Sequence, residues 1–465
     1  MKIVYIGNLK KFLSEIESFV SKNKITSKTL GSIISRFAEI DFISILETLQ
    51  NKNTPYFYTF HDKDEIIFLG FESISHISAC GEDRLELTEK KVSELAENFL
   101  SNWDEVGLKS VPLFLGGMKF SGNNSDMLWK DFSDSDWFIP RFLLLKYKRE
   151  YFLVYNFFGR KLINDEIKSD LNRLQSVLQY DKDEKRTESK IRILSTEKDK
   201  SLWVNNVKEA LNKIEAGTVQ KIVLSRELDL QLKSDISIAE IIETLGERYP
   251  KCYVFAFSLG RSVFFGASPE KLAKISNGII EADALAGSIP RGKTAAEDDL
   301  LAASLLSSGK DIAEQQIVVS FITESFSLFC SEVFFEKKPA IRKLPNIQHL
   351  WTPIKGKVKE GESVFSILKE LHPTPAICGV PWEKARNEII KMEPHNRGLF
   401  TGMIGWFNFY NEGEFAVAIR SALLKEKMIY AFAGCGIVKG SDPEIEFAES
   451  ELKLKPIISL FESIN

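Results

Sequence analysis

The chain has 465 residues, 44% hydrophobic and 27% charged, with 61 basic against 65 acidic side chains and a net charge of −4. This is the balance of a globular protein with room for one large domain or two to three smaller ones; it excludes disorder over most of the length and nucleic-acid binding driven by bulk charge. The N-terminal MKIVYIGNLKKFLSEIESF carries lysines and glutamates inside its apolar stretch and does not read as a signal peptide, and no apolar run approaches the roughly 18 residues that span a bilayer. Cys80, Cys252, Cys330, Cys378 and Cys435 are far apart and form no CxxC pair, so we expect no zinc knuckle or disulfide framework and a cytoplasmic location.

Residues 1–180 are rich in short aromatic and β-branched runs that predict strands at 56–60 (YFYTF), 64–71 (DEIIFLGF) and 149–159 (REYFLVYNFFG). Between them Leu87, Val92, Leu95 and Leu100 recur at helical spacing, predicting a helix over 85–102. Thirteen charges among the 21 residues 180–200 predict a solvated connection. From 201 onward helices and strands alternate. Helices are expected at 202–215, 237–248, 294–308 and 310–330, and strands at 221–230, 252–260, 262–267, 414–424 and 427–438. Ser441-Asp442-Pro443-Glu444 opens a last helix, with proline in the first turn. The consecutive, hairpin-like strands favour an α+β architecture over a strict βαβ repeat. The 34 phenylalanines read as core filling.

Single residues speak weakly. GCGIVKG (434–440) has the spacing GxGxxxG near the C-terminus, which fits a close approach of backbone to a small ligand better than a dinucleotide loop. On the last helix Glu446, Glu449 and Lys453 share one face beside Glu444 and Glu451, ordinarily a solvated face. Glu314 on another helix has the same plain reading; carboxylates from two helices suit a hard cation such as Mg²⁺ only if the fold brings them together. Lys221 opens a strand, usually an exposed edge position, and the Ser-Pro-Glu that ends at Glu270 is also a common helix start. Of the histidines, His349, His372 and His395 are expected in proline-rich, functional loops but lack metal spacing, and no serine has a nucleophile-elbow context.

The order of the segments is far more specific than any one of them. KIVLSRE (221–227), FGASPEKL (265–272), ALAGSIPRG (284–292), SGKDIAEQQIVV (308–319), NIQHLWTPIKG (346–356), LHPTPAICG (371–379), RGLFTGMIGW (397–406), EFAVAIRSALL (414–424) and AGCGIVKGSDPEIEFAESELKLKP (433–456) form a series that resembles the chorismate-utilising enzymes. That family includes isochorismate, salicylate and aminodeoxychorismate synthases and anthranilate synthase component I. The resemblance covers about residues 200–460; GGMKF (116–120) and its surroundings match less specifically. It implies an anthranilate-synthase-component-I-like α+β fold, with two packed, largely antiparallel sheets flanked by helices in α/β/β/α layers. Residues 1–195 would contribute strands and helices to the core of a catalytic region at 196–462.

By the same resemblance the substrate is chorismate and the cofactor Mg²⁺, held by Glu314 and Glu449 with Glu446 close by. Arg420 and Lys453 match positions that bind the enolpyruvyl carboxylate, where a planar guanidinium and a point charge suit the task. Gly287, Ser288, Gly434 and His349 match the pocket wall. Lys221 matches the base that activates water at ring position two, and Glu270 the acid that protonates the hydroxyl leaving position four. The two carry opposite demands. The lysine must shed a proton held at ~10.4, a fall of about three units or roughly 4 kcal/mol, and the glutamate must keep its own near neutrality. Glu270 is therefore expected on the side of the ring away from the metal.

Lysine at 221 favours water over ammonia as nucleophile, so no amidotransferase partner is expected. The PIKG at 353–356 does not stand where the aminodeoxychorismate synthases carry their nucleophilic lysine; Ala286 does. Phe400 and Ile419 are the pair of isochorismate-forming relatives, against tyrosine and leucine in salicylate-forming ones. Phe447, Ser450 and Cys435 replace a usual tryptophan, threonine and alanine, and none of these changes removes a charge. The implied activity is isochorismate formation by a monomer or homodimer without nucleic-acid or membrane partner. It would feed menaquinone synthesis or a siderophore, and the long N-terminal region favours menaquinone. Salicylate synthase is the alternative, ahead of an amination enzyme or a silent chorismate-binding paralogue.

Overall fold

Period-two alternation organises the molecule, as the strand Tyr253–Leu259 illustrates: Tyr253, Phe255 and Phe257 enter one core while Val254 and Ala256 enter another. The computed structural model describes residues 2–61, 66–122, 126–159, 164–179, 191–194 and 197–461. One antiparallel path runs from Lys221–Leu232 through Met428–Ile437, Ser421–Lys425, Ser262–Ser268, Tyr253–Leu259, Tyr56–Phe60, Ile66–Ala79, Ser135–Tyr147 and Glu150–Phe158 to Leu30–Phe37. A second leaves the first half of Ser135–Tyr147 and runs through Phe114–Met118, Met403–Phe407, Gly413–Val417, Lys271–Ser276 and Ile279–Pro290 to Ile347–Val358. The two sheets are thus joined along one forked strand.

Between the sheets lies an aromatic core that includes Phe57, Phe68, Phe257 and Phe264 from the first and Phe407 and Phe415 from the second. The outer face of the first sheet is covered by Lys2–Lys22, Phe42–Asn51, Asn164–Leu178 and Ile238–Arg248, and the second packs against Arg84–Ala96, Gly309–Phe329 and Val364–Leu371. This is the layered α+β arrangement. Early and late parts of the chain are interleaved in it: Tyr56–Phe60 pairs with Tyr253–Leu259, and Phe114–Met118 with Met403–Phe407.

Local signals placed most elements. Asp442 caps the last helix, Pro443–Ile458, by accepting from Glu444 N and Ile445 N, and Ser308 caps Gly309–Phe329 by accepting from Asp311 N. Four expectations need correction. The helix from residue 85 stops at Ala96, because Phe99–Ser101 pairs in parallel with Leu30–Ser32. The run 414–424 is two strands, Gly413–Val417 and Ser421–Lys425, parted where Arg420 takes a φ of +52° and the halves join different sheets. Ser268-Pro269-Glu270 starts no helix but links two strands, and His349 lies within a strand. Most of the charged stretch 180–200 lies outside the described residues; within it Ile191–Ile193 pairs with Leu230–Leu232.

Candidate active site

Both sheets and two helices contribute to one cavity, about 790 Å³ with the solvent at its open mouth included. Its wall includes Glu270, Gly287, Ser288, Glu314, His349, Phe400, Ile419, Arg420, Gly434, Glu446, Glu449 and Lys453, all singled out from the sequence. Lys221 reaches the same place behind Gly436. It is no exposed edge charge: the residue is fully buried, and Nζ donates to Glu314 Oε1 at 2.7 Å.

The last helix resolves its acidic cluster by facing. Glu444 and Glu451 are largely exposed, whereas Glu446 and Glu449 turn inward. Glu446 is buried and accepts from Lys310 Nζ at 2.8 Å; burial and the charge of Glu449 hold its carboxyl above the usual range, with Lys310 opposing. Burial acts in the same sense on Glu449, but Lys453, 2.5 Å away, outweighs it and leaves that carboxyl below the usual range. Glu314 approaches from the other helix. These hard oxygen donors fit a hard divalent cation. Cys435 Sγ lies within 4.8 Å of the Glu446 and Glu449 oxygens, but burial pushes its thiol well up and it donates to the Glu446 backbone carbonyl.

On the opposite wall the backbone bulge at Gly287, φ +73°, brings Ser288 level with His349. His349 Nδ1 lies 3.2 Å from Gly287 O and 2.9 Å from Ser288 Oγ, and Nε2 lies 3.2 Å from Arg420 Nη2. Burial, with Arg420 and Lys453 beside it, drives this imidazole well below its ordinary value, so it is neutral. A proton on Nδ1 and an acceptor at Nε2 satisfy all three contacts. Arg420 is thereby aimed, while its Nη1 is buried with no hydrogen-bond partner among the described residues. An unpaired buried guanidinium nitrogen costs free energy that an anion recovers. Lys453 donates to Gly434 O at 2.9 Å on the same side.

Glu270 is buried, and burial, reinforced by the charge of Asp283, pushes its carboxyl up to about 8. Lys221, Arg420 and Lys453 pull it the other way; the carboxylate cluster is not among the charges that act on it most. The neutral wall is aromatic, with Phe400 stacked on Phe432 at 5.3 Å between ring centres.

Sequence reasoning passed over Lys310, Asp311 and Gly436, all of which line the cavity. Gly436 was within reach, since it follows Gly434 by two on one strand and so shares its face. A Cβ there would collide with Glu314 Oε1 and come within 2.9 Å of Lys221 Cε. The lysine of PIKG, Lys355, is exposed and paired with Glu281, far from this chemistry in role and place.

The chain belongs to the chorismate binding enzyme family, whose model matches residues 12–462. Its fold is that of anthranilate synthase component I: the enzyme from Streptococcus pneumoniae superposes with a TM-score of 0.68 over 84% of this chain and 92% of that one, at 20% identity. The menaquinone-specific isochorismate synthase MenF of Escherichia coli superposes at 0.80 over 98% of this chain and all of the other, at 22% identity. In sequence, isochorismate synthase MenF of Bacillus subtilis is 32% identical over 458 residues, 96% of this chain and 97% of that protein. Isochorismate synthase DhbC of the same organism is 36% identical over 264 residues, 55% of this chain and 66% of that one.

Proposed function

We propose that the chain is an isochorismate synthase that converts chorismate to isochorismate with Mg²⁺. The observation that carries this reading is the pairing, at one cavity, of a buried lysine with a carboxyl that burial pushes up to about 8. Exchange of a ring hydroxyl for water needs a base at one ring position and an acid at another, and Lys221 and Glu270 supply them. In its base form Lys221 takes a proton from the attacking water; Glu270 gives its own to the departing hydroxyl. Arg420, aimed by His349, and Lys453 hold the enolpyruvyl carboxylate. Phe400 and Phe432 close the apolar side of the ring.

Charge balance supports the metal. With Glu270 protonated and Lys221 in its base form, the cavity sets Lys310, Arg420 and Lys453 against Asp311, Glu314, Glu446 and Glu449. A dianionic substrate entering a site with one more carboxylate than cations needs a divalent counter-charge. Glu314, Glu446 and Glu449 would hold Mg²⁺, which when bound neutralises the ring carboxylate and orients the ring. Glu314, which accepts from Lys221 through Oε1, would thereby link the base to the residues that hold the ion.

The match to Bacillus subtilis MenF runs along nearly the whole chain, whereas that to DhbC spans about half, which supports a menaquinone role over a siderophore. The test is product analysis. Chorismate and Mg²⁺ should yield isochorismate independently of ammonium; salicylate and pyruvate formed in equal amounts, faster than isochorismate decays alone, would refute the assignment.

A further inference from the structure

We infer that Asp283 is a positioning residue for the acid: a fixed, buried carboxylate outside the cavity whose charge keeps the proton on Glu270. The inference rests on the reading of Glu270 as general acid. Glu270 directly precedes the strand Lys271–Ser276, which pairs with Ile279–Pro290 through Lys274 and Glu281, Ile275 and Ile280, and Ser276 and Ile279. Asp283 stands two residues beyond Glu281 on the strand that goes on to supply Leu285, Gly287 and Ser288 to the pocket wall. It does not line the cavity itself. Both its oxygens are fixed: Arg342 Nη1 donates to Oδ2 at 2.9 Å and Trp351 Nε1 to Oδ1 at 2.9 Å. Arg342 is anchored in turn by donating from Nη2 to Lys251 O at 3.1 Å.

Such a device answers a conflict built into the pocket. Binding a dianion requires cations, and the charges of Lys221, Arg420 and Lys453 all favour the ionised form of Glu270. An acid that must stay protonated among three cations needs more than burial. Asp283 is the negative charge that acts on it most, and it is tied down where it can neither reach the substrate nor swing away.

The experiment is the pH dependence of kcat in Asp283→Asn and Arg342→Gln. Removing the negative charge should move the alkaline limb of the profile down by about one pH unit, which is roughly a tenfold loss on that limb relative to the acid plateau. Removing the counterion of Asp283 should move the limb up. A merely structural role gives lower plateaus and an unmoved limb in both variants, and that result overturns the inference. The Glu270 carboxyl stretch, identified as the infrared band missing from Glu270→Gln, gives a readout independent of turnover. If it titrates at lower pH in Asp283→Asn while the rate profile stays put, the coupling stands and the acid assignment falls. If the band does not move, the coupling is refuted. Should Asp283→Asn fail to fold, Asp283→Glu, which keeps the charge and should leave the limb unmoved, and Arg342→Gln carry the same test.

Discussion

Gly436→Ala places one methyl group in the most crowded part of the site. The new Cβ would meet Glu314 Oε1 head-on and stand 2.9 Å from Lys221 Cε and 3.2 Å from Lys221 Nζ. The backbone there is ordinary extended strand, so alanine brings no conformational strain of its own. The clash must be relieved by the side chains, and Glu314 has to move on the order of 1 Å, a misplacement that costs about 100-fold in rate when the group works at the reacting centre. Overpacking of this size destabilises by about 1–3 kcal/mol, which a chain of this length survives. The assay is chorismate turnover with saturating Mg²⁺ beside a thermal unfolding curve. We expect a folded protein with kcat down by about two orders of magnitude. A variant with kcat within threefold of the parent would refute the claim that the geometry of the Lys221–Glu314 pair is needed.

Lys221→Ala should fold and lose nearly all turnover; more than a few per cent of the parent activity would remove it from the role of base. Glu314→Ala or Glu449→Ala should weaken Mg²⁺ dependence and chorismate affinity together, checked by calorimetric titration, and a variant with normal metal response would count against the two-helix carboxylate site. The alkaline limb of the rate profile should fall as pH rises through about 8, because Glu270 acts in its protonated form and burial lifts it from an ordinary 4.5. The same displacement makes its contribution to stability complete below about 4.5 and lost as pH rises through about 8; a rate that still climbs past pH 9 would contradict this. Phe400→Tyr with Ile419→Leu should raise the salicylate fraction of the product, since one added hydroxyl near the enolpyruvyl arm is worth about 1 kcal/mol, a several-fold preference; an unchanged product ratio would clear these positions of control.

The sequence by itself determined the reaction class, because catalysis by proton transfer and carboxylate binding demands particular side chains. Those side chains stand in an order of nine segments that survives in the linear string. It also located helix starts, where Asp442, Ser308 and Thr294 cap their own first turns over three or four residues. It did not decide exposure. Lys221 at a strand start and Glu446 in an acidic run both look like surface, yet both are buried and meet partners about a hundred positions away, Glu314 for Lys221 and Lys310 for Glu446. Nor did it reveal the break at Arg420: the string 414–424 is uniformly β-like, and the left-handed turn exists because its two halves are claimed by two different sheets. Propensity and capping act within a turn or a strand, but burial, register and the field at Glu270 are sums over partners that meet only when the sheets close.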